Sequence, residues 1–150
     1  GYELCAVLLT KNTQGHLHGI ATLRKIYELD VFAADTELTG EKTILLRGEG
    51  VLKLAGLDIC YFALPGHAAD SMVYKIGTVL FTGDALTAGA IGETTSSYAK
   101  TTLMSGIKTK IFTYSDDTVI MPGHGPLTSV GAEKQFNIDM NPIVRTLEDV

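Results

Sequence analysis

The sequence predicts one α/β domain over residues 1–150, and three observations predict it. A strand–helix–strand pattern opens the chain between Cys5 and Ala34. Between Thr43 and Thr82 the apolar residues fall into short strand-like runs parted by glycines. A last strand, Thr118 to Met121, is flanked by two helical stretches. A chain of 150 residues suits one domain and can bury a core.

Each element has a local reason. Cys5 to Thr10 is almost wholly apolar, as a strand buried on both faces would be. Polar Lys11 to Gly15 reads as a loop. From Gly19 to Leu29, Ile20, Leu23, Ile26 and Tyr27 recur at helical spacing, with Lys25 and Glu28 between them. Asp30 to Ala34 is a second buried strand, which makes a βαβ unit with parallel pairing. After Gly40 the expected strands are Thr43–Leu46, Val51–Ala55, Asp58–Leu64, Ser71–Ile76 and Thr78–Thr82, read as an antiparallel stretch. Polar Thr94 to Lys100 leads into a helix ending near Phe112. Pro122 to Pro126 forms a rigid loop, Thr128 or Ser129 caps a further helix through Gln135, and a short helix follows Asn141-Pro142.

Composition narrows the function. Apolar residues make up 45% and charged residues 19%, which is globular rather than disordered material. The net charge is −5 and the basic residues are scattered, which argues against nucleic acid or an anionic membrane as partner. No apolar run approaches the ~18 residues of a membrane span. Gly1 to Leu4 carry no basic signal region, so the expected location is the cytoplasm. Cys5 and Cys60 lie in apolar runs, lack a second Cys at ligand spacing, and are expected to be buried free thiols.

Four segments share one form, a strand that leads into a loop carrying a ligand-type side chain. Cys5–Thr10 leads to His16, Asp58–Leu64 to Pro65-Gly66-His67, Thr78–Thr82 to Gly83-Asp84, and Thr118–Met121 to Pro122-Gly123-His124. Sites in α/β architectures gather where strand ends converge. Imidazole with carboxylate suits zinc or non-haem iron. A single loop histidine is more often merely exposed, and Gly-Asp is also ordinary turn chemistry. Spacing alone therefore leaves a shared site and four separate loop residues both open.

The runs Leu64-Pro65-Gly66-His67-Ala68-Ala69-Asp70-Ser71, Val79-Leu80-Phe81-Thr82-Gly83-Asp84 and Ala88-Gly89-Ala90-Ile91-Gly92 resemble the centre of glyoxalase II and its persulfide dioxygenase relatives, within the metallo-β-lactamase superfamily. So does Ser115 to Thr128, followed by Glu133-Lys134 and Asn137. The resemblance covers nearly the whole chain. It implies a four-layer αββα sandwich with a metal site at one edge of the sheets. It also implies metal-activated water attacking a carbonyl such as a thioester, or, in the dioxygenases, one iron activating oxygen. By resemblance, His67 serves a first metal, His124 a second, and Asp84 bridges them.

The pattern breaks at the family's first motif, His-x-His-x-Asp-His. Aligned without a gap, its two leading histidines are Lys11 and Thr13, its aspartate is Gly15, and His16 alone stands. A first metal site would keep only His67 and Asp84; a second would keep His16, Asp84 and His124, enough for one zinc or iron per chain at most. Lys11 has two readings: a cation that pairs with Asp84 in place of a metal, or an exposed loop lysine. His16-Leu17-His18 as a fresh His-x-His pair is disfavoured, because side chains at a helix start diverge. Relatives usually carry Arg and Asp after the second loop's Ile-Gly, whereas here Ile91-Gly92 precede Glu93-Thr94-Thr95. The family's helical extension for a thiol peptide is not matched. Strands that normally precede Cys5–Thr10 are not matched either, so the fold is expected to be N-terminally incomplete. A partner chain or an upstream segment is expected to cover the open sheet.

The leading expectation is a domain of this fold with a degraded metal site, not a dinuclear hydrolase, in a binding or regulatory role toward a small molecule or another chain. The alternative is a mononuclear zinc or iron enzyme, a hydrolase of a thioester or other ester or a dioxygenase, using His16, Asp84 and His124, with Lys11 and Asp84 as candidate catalytic groups.

Overall fold

A computed structural model describes residues 2–34 and 43–141. The strands form a three-stranded sheet, a six-stranded sheet and a small hairpin. In the first sheet β1 (Ala6–Leu8) pairs in parallel with β2 (Asp30–Ala33), and β2 pairs in parallel with β3 (Thr43–Leu45). Helix α1 (Gln14–Arg24) connects β1 to β2, completing the βαβ unit. The large sheet is built from β4 (Glu49–Leu54), β5 (Leu57–Ala63), β6 (Met72–Ile76), β7 (Val79–Gly83), β10 (Val119–Pro122) and β11 (Thr128–Ser129). The hairpin is β8 (Leu86–Thr87) with β9 (Ala90–Ile91). Helix α2 (Ser97–Gly106) continues into a π-helical turn, Ile107–Ile111, and α3 is Val130–Phe136.

Alternation along the strands sorts side chains into three layers of core. Val31 and Ala33 face α1, meeting Leu9, Ile20 and Leu29. Phe32, between them in sequence, faces the other way and packs with Leu46, Ile59, Met72 and Tyr74 between the sheets. Val73 lies between Met72 and Tyr74 and points to the outer side, where it meets Leu80, Leu103, Ile107, Ile111 and Ile120. The period-2 rule of strands thus produces helix, sheet, sheet, helix. The αββα sandwich is the architecture observed. Fully burying an aliphatic side chain contributes about 1.5–3 kcal/mol relative to leaving it exposed, and Leu64, Leu80, Leu86, Leu103, Ile107, Ile111 and Ile120 are completely buried.

Several expectations are corrected. The first strand is three residues long and half-buried, because β1 is the edge of its sheet among the described residues. For the same reason Cys5 is exposed, while Cys60 is half-buried; both are free thiols. Helix α1 starts five residues earlier than Gly19, with the Thr13 hydroxyl accepting from the His16 N–H, and ends at Arg24. Ile26 and Tyr27 therefore lie beyond it and are exposed. The strand at Thr43 is not part of the antiparallel stretch: it joins the small sheet in parallel with β2. From β4 to β7 the pairing is antiparallel, and β10 then adds to β7 in parallel. The second helix does end at Phe112, through a π-type bond from Phe112 N–H to the Ile107 carbonyl. Ser129 caps α3 by accepting from the Ala132 N–H. The expected helix after Pro142 lies outside the described residues. Among the described residues no helix is long and apolar enough to cross a membrane.

Candidate functional site

Four loops meet at one end of the two sheets. The segment after β1 carries Lys11 and is fixed at two points: Thr10 O accepts from Met72 N–H, and the Asp70 carboxylate accepts from Asn12 N–H at 2.6 Å. The loop after β5 carries His67. Gly66 has φ +135°, and a Cβ there would stand 2.5 Å from Leu103 Cβ and 2.7 Å from the Ala99 carbonyl oxygen, so only glycine lets this loop settle on α2. Asp84 directly follows β7. His124 follows β10, and Gly123 lies so close that a Cβ on it would be 2.9 Å from Asp84 Oδ1.

Lys11 Nζ lies 2.9 Å from Asp84 Oδ2 and 2.9 Å from His67 Nε2. His124 Nδ1 lies 2.5 Å from the other carboxylate oxygen, Asp84 Oδ1. The Lys11 and Asp84 side chains are 19% and 24% exposed, whereas His124 is 84% exposed. The result is a chain of contacts, His124–Asp84–Lys11–His67, whose two middle members are largely withdrawn from water.

Donor and acceptor chemistry fixes the imidazoles. His67 Nδ1 is 2.8 Å from the Glu93 carbonyl oxygen, which only accepts, so Nδ1 carries the hydrogen. Its Nε2 then offers a lone pair, and the Lys11 ammonium donates to it. His16 Nδ1 is 2.8 Å from the Lys11 carbonyl oxygen and is a donor by the same reasoning. His124 donates from Nδ1 to the carboxylate. Burial alone would push the Asp84 carboxyl up; hydrogen bonds from His124 and Lys11, and the charges of both, outweigh it and hold the carboxyl below its ordinary value.

The residues were tested as a metal donor set. An ammonium has three hydrogens and no lone pair, so Lys11 cannot ligate, yet it stands between the carboxylate and the imidazole that would. Among the described residues no three or more His, Cys, Asp or Glu side chains gather as a metal-holding group. The arrangement as it stands does not fit a metal between Asp84 and His67, and no chemical step is derived through one.

Of the residues singled out from sequence, Lys11, His67, Asp84 and His124 form one connected cluster. His16 stands at the start of α1 and is tied to the cluster through the Lys11 backbone. His18, on the same helix, is exposed. Sequence reasoning did not single out two supports. Asp70 holds the Lys11 loop; its signal was a carboxylate three residues after a candidate ligand. Glu93 acts through its backbone carbonyl, which no residue-type pattern reveals.

The chain was compared with known proteins. No family model matches it. Hydroxyacylglutathione hydrolase GloC of Haemophilus influenzae is 38% identical over 94 residues, which take in 61% of this chain and 44% of that relative. The match thus spans less than half of the relative's length. Among solved structures, the BLEG-1 B3 metallo-β-lactamase aligns over 91% of this chain and 77% of its own, at 28% identity and a TM-score of 0.78. ETHE1 from Myxococcus xanthus aligns over 97% of this chain and 70% of its own, at 25% identity and a TM-score of 0.79. The layered sandwich, the convergence of its loops and these likenesses agree: the chain has the metallo-β-lactamase fold and is similar in sequence to proteins of that superfamily.

Proposed function

We propose that this chain is a metallo-β-lactamase-fold domain with a degraded metal centre, serving a binding or regulatory role rather than two-metal hydrolysis. One observation carries the reading: the Lys11 ammonium hydrogen-bonds both Asp84 Oδ2 and His67 Nε2 at 2.9 Å. A metal on those two atoms would have to expel the ammonium and break both contacts. The ammonium supplies one positive charge to the half-buried carboxylate. It does not supply what a metal supplies, a bound water acidified into a nucleophile. Its third hydrogen remains able to meet an anionic or carbonyl ligand entering the cleft.

A second reading keeps one zinc or iron on His16, Asp84 and His124, with hydrolysis of a thioester or other ester, or an oxygenation, as its chemistry. What favours it is that His16 commits Nδ1 to the Lys11 carbonyl and leaves Nε2 for ligation, as metal-bound histidines commonly do, while His124 stands against Asp84 and would have to turn from Oδ1 to ligate. The relative from Haemophilus influenzae, named as a hydroxyacylglutathione hydrolase, makes a thioester the first substrate to try.

Elemental mass spectrometry of protein purified without chelator separates the two. The binding-domain reading expects far less than one zinc or iron per chain, in a protein that melts cooperatively. About one metal per chain, lost in His124→Ala, would replace it with the mononuclear enzyme.

A further inference from the structure

Beside the Lys11 cluster, on the other side of the loop that follows β9, lies a cavity of about 400 Å³ lined by Ile91, Gly92, Glu93, Thr94, Lys100 and Asp139. That volume falls within the ~300–1,000 Å³ range of small-molecule sites. We propose that this cavity binds a free α-amino acid with a small neutral side chain. The inference does not depend on how the Lys11 centre is read.

Some polar groups of the wall are already used and others are not. Asp139 Oδ2 accepts from Ile91 N–H at 3.1 Å, which fixes this carboxylate as part of the wall. Asp139 Oδ1 and Lys100 Nζ stand 3.8 Å apart, too far for a hydrogen bond, with side chains 21% and 36% exposed. Such a long, half-open pair contributes little stability and separates at little cost. The Glu93 carboxylate and the Thr94 hydroxyl have no hydrogen-bond or ion-pair partner among the described residues. The cavity therefore presents the unpartnered Glu93 carboxylate and the loosely paired Asp139 and Lys100, with Thr94 in the same lining.

An α-amino acid is the matching shape of charge. Its ammonium and carboxylate sit on one carbon, as close together as the opposite charges of the wall. The ammonium reaches Glu93 and Asp139 Oδ1, and the carboxylate reaches Lys100 and the Thr94 hydroxyl. With those groups spent, nothing charged in the lining remains for a side chain, which selects a neutral one. A plain amine or a plain carboxylate meets only one sign of the wall and so gains only part of these contacts.

Occupancy should also be felt at the cluster. The Glu93 carbonyl accepts from His67 Nδ1, and a Cβ on Gly92 would stand 2.8 Å from His67 Cγ, so the loop lining the cavity packs against that imidazole.

The test is an NMR titration of the ¹⁵N-labelled chain with glycine, L-alanine and L-glutamine, using methylammonium and acetate as single-charge controls. At least one amino acid should bind at millimolar or lower concentration, shifting the amide signals of residues 91–94 and Lys100 and the ring signals of His67. Each control should bind about tenfold or more weakly. Glu93→Gln and Lys100→Met, at positions outside the core, should keep the melting transition and each weaken the amino acid about tenfold. No shift with any of the three amino acids, equal binding of a single-charge control, or binding unchanged in both variants would each overturn the proposal.

Discussion

Replacing Lys11 by Met removes the ammonium while keeping most of the stem's bulk, and the structure sets the size of the effect. Two hydrogen bonds are lost, one to Asp84 Oδ2 and one to His67 Nε2, both at 2.9 Å. Asp84, 24% exposed, keeps only His124 as a side-chain hydrogen-bond partner, and that imidazole is 84% exposed. A hydrogen bond to a charged group contributes about 1.5–3 kcal/mol, and this pair is only partly buried. We therefore expect a loss of about 1.5–3 kcal/mol in urea unfolding at pH 7. In thermal unfolding that corresponds to a fall of roughly 3–12 °C for a domain of this size. Asp84→Asn made alone should also destabilise, because it leaves the ammonium unpaired. The double variant Lys11→Met/Asp84→Asn should be more stable than the sum of the two losses predicts, giving a coupling of at least about 1 kcal/mol. A Lys11→Met protein within about 0.5 kcal/mol of the parent, with no coupling in the cycle, would refute the ion pair as a stabilising centre.

The same centre sets a pH dependence. The Asp84 carboxyl is held below its ordinary value of 3.8 in the folded chain, so its contribution is complete above that value and is lost as pH falls through the lowered one. Acid unfolding curves should therefore be shallower in Lys11→Met below about pH 4, and parallel curves would count against the assignment. Glu133 is almost fully buried and accepts from Gly89 N–H, the Asn137 amide and the Thr128 hydroxyl. Glu133→Ala strands three donors and should cost at least about 3 kcal/mol by chemical denaturation; a loss under 1 kcal/mol on the order-of-magnitude scale of surface changes would show the network to be dispensable. Leu103 is fully buried against the loop that carries His67, so Leu103→Ala should cost about 2–5 kcal/mol and also shift His67 ring signals. Destabilisation without the His67 shift would separate core packing from placement of the site.

Much of the fold was legible because strand and helix periods are written in the apolar residues. Val31, Phe32 and Ala33 read as a buried strand and prove buried on both faces. The start of α1 was hidden because Gln14, Gly15 and His16 face solvent and carry no apolar period; a cap, Thr13, marked it instead. Pairing direction was illegible for Thr43–Leu45, since a strand's own residues do not say which neighbour it joins. The hairpin of β8 and β9 has strands of two residues, too short for any period. At the site, the strand-end rule pointed to His16, His67, Asp84 and His124, and the last three lie on one chain of contacts that runs through Lys11. Lys11 was found by its place in a familiar motif, not by its type, and sequence leaned toward an exposed loop lysine. Geometry supplied what residue type could not: a backbone carbonyl that sets the His67 tautomer and turns its lone pair toward the ammonium.

Whether the ammonium holds the place of a metal is decided by a crystal structure of the chain grown with excess zinc, with anomalous scattering recorded at the zinc edge. The Lys11 ammonium should stand between Asp84 and His67, with no anomalous peak within bonding reach of either residue. A zinc peak bound to Asp84 and His67, with Lys11 swung out of the cleft, would contradict this reading.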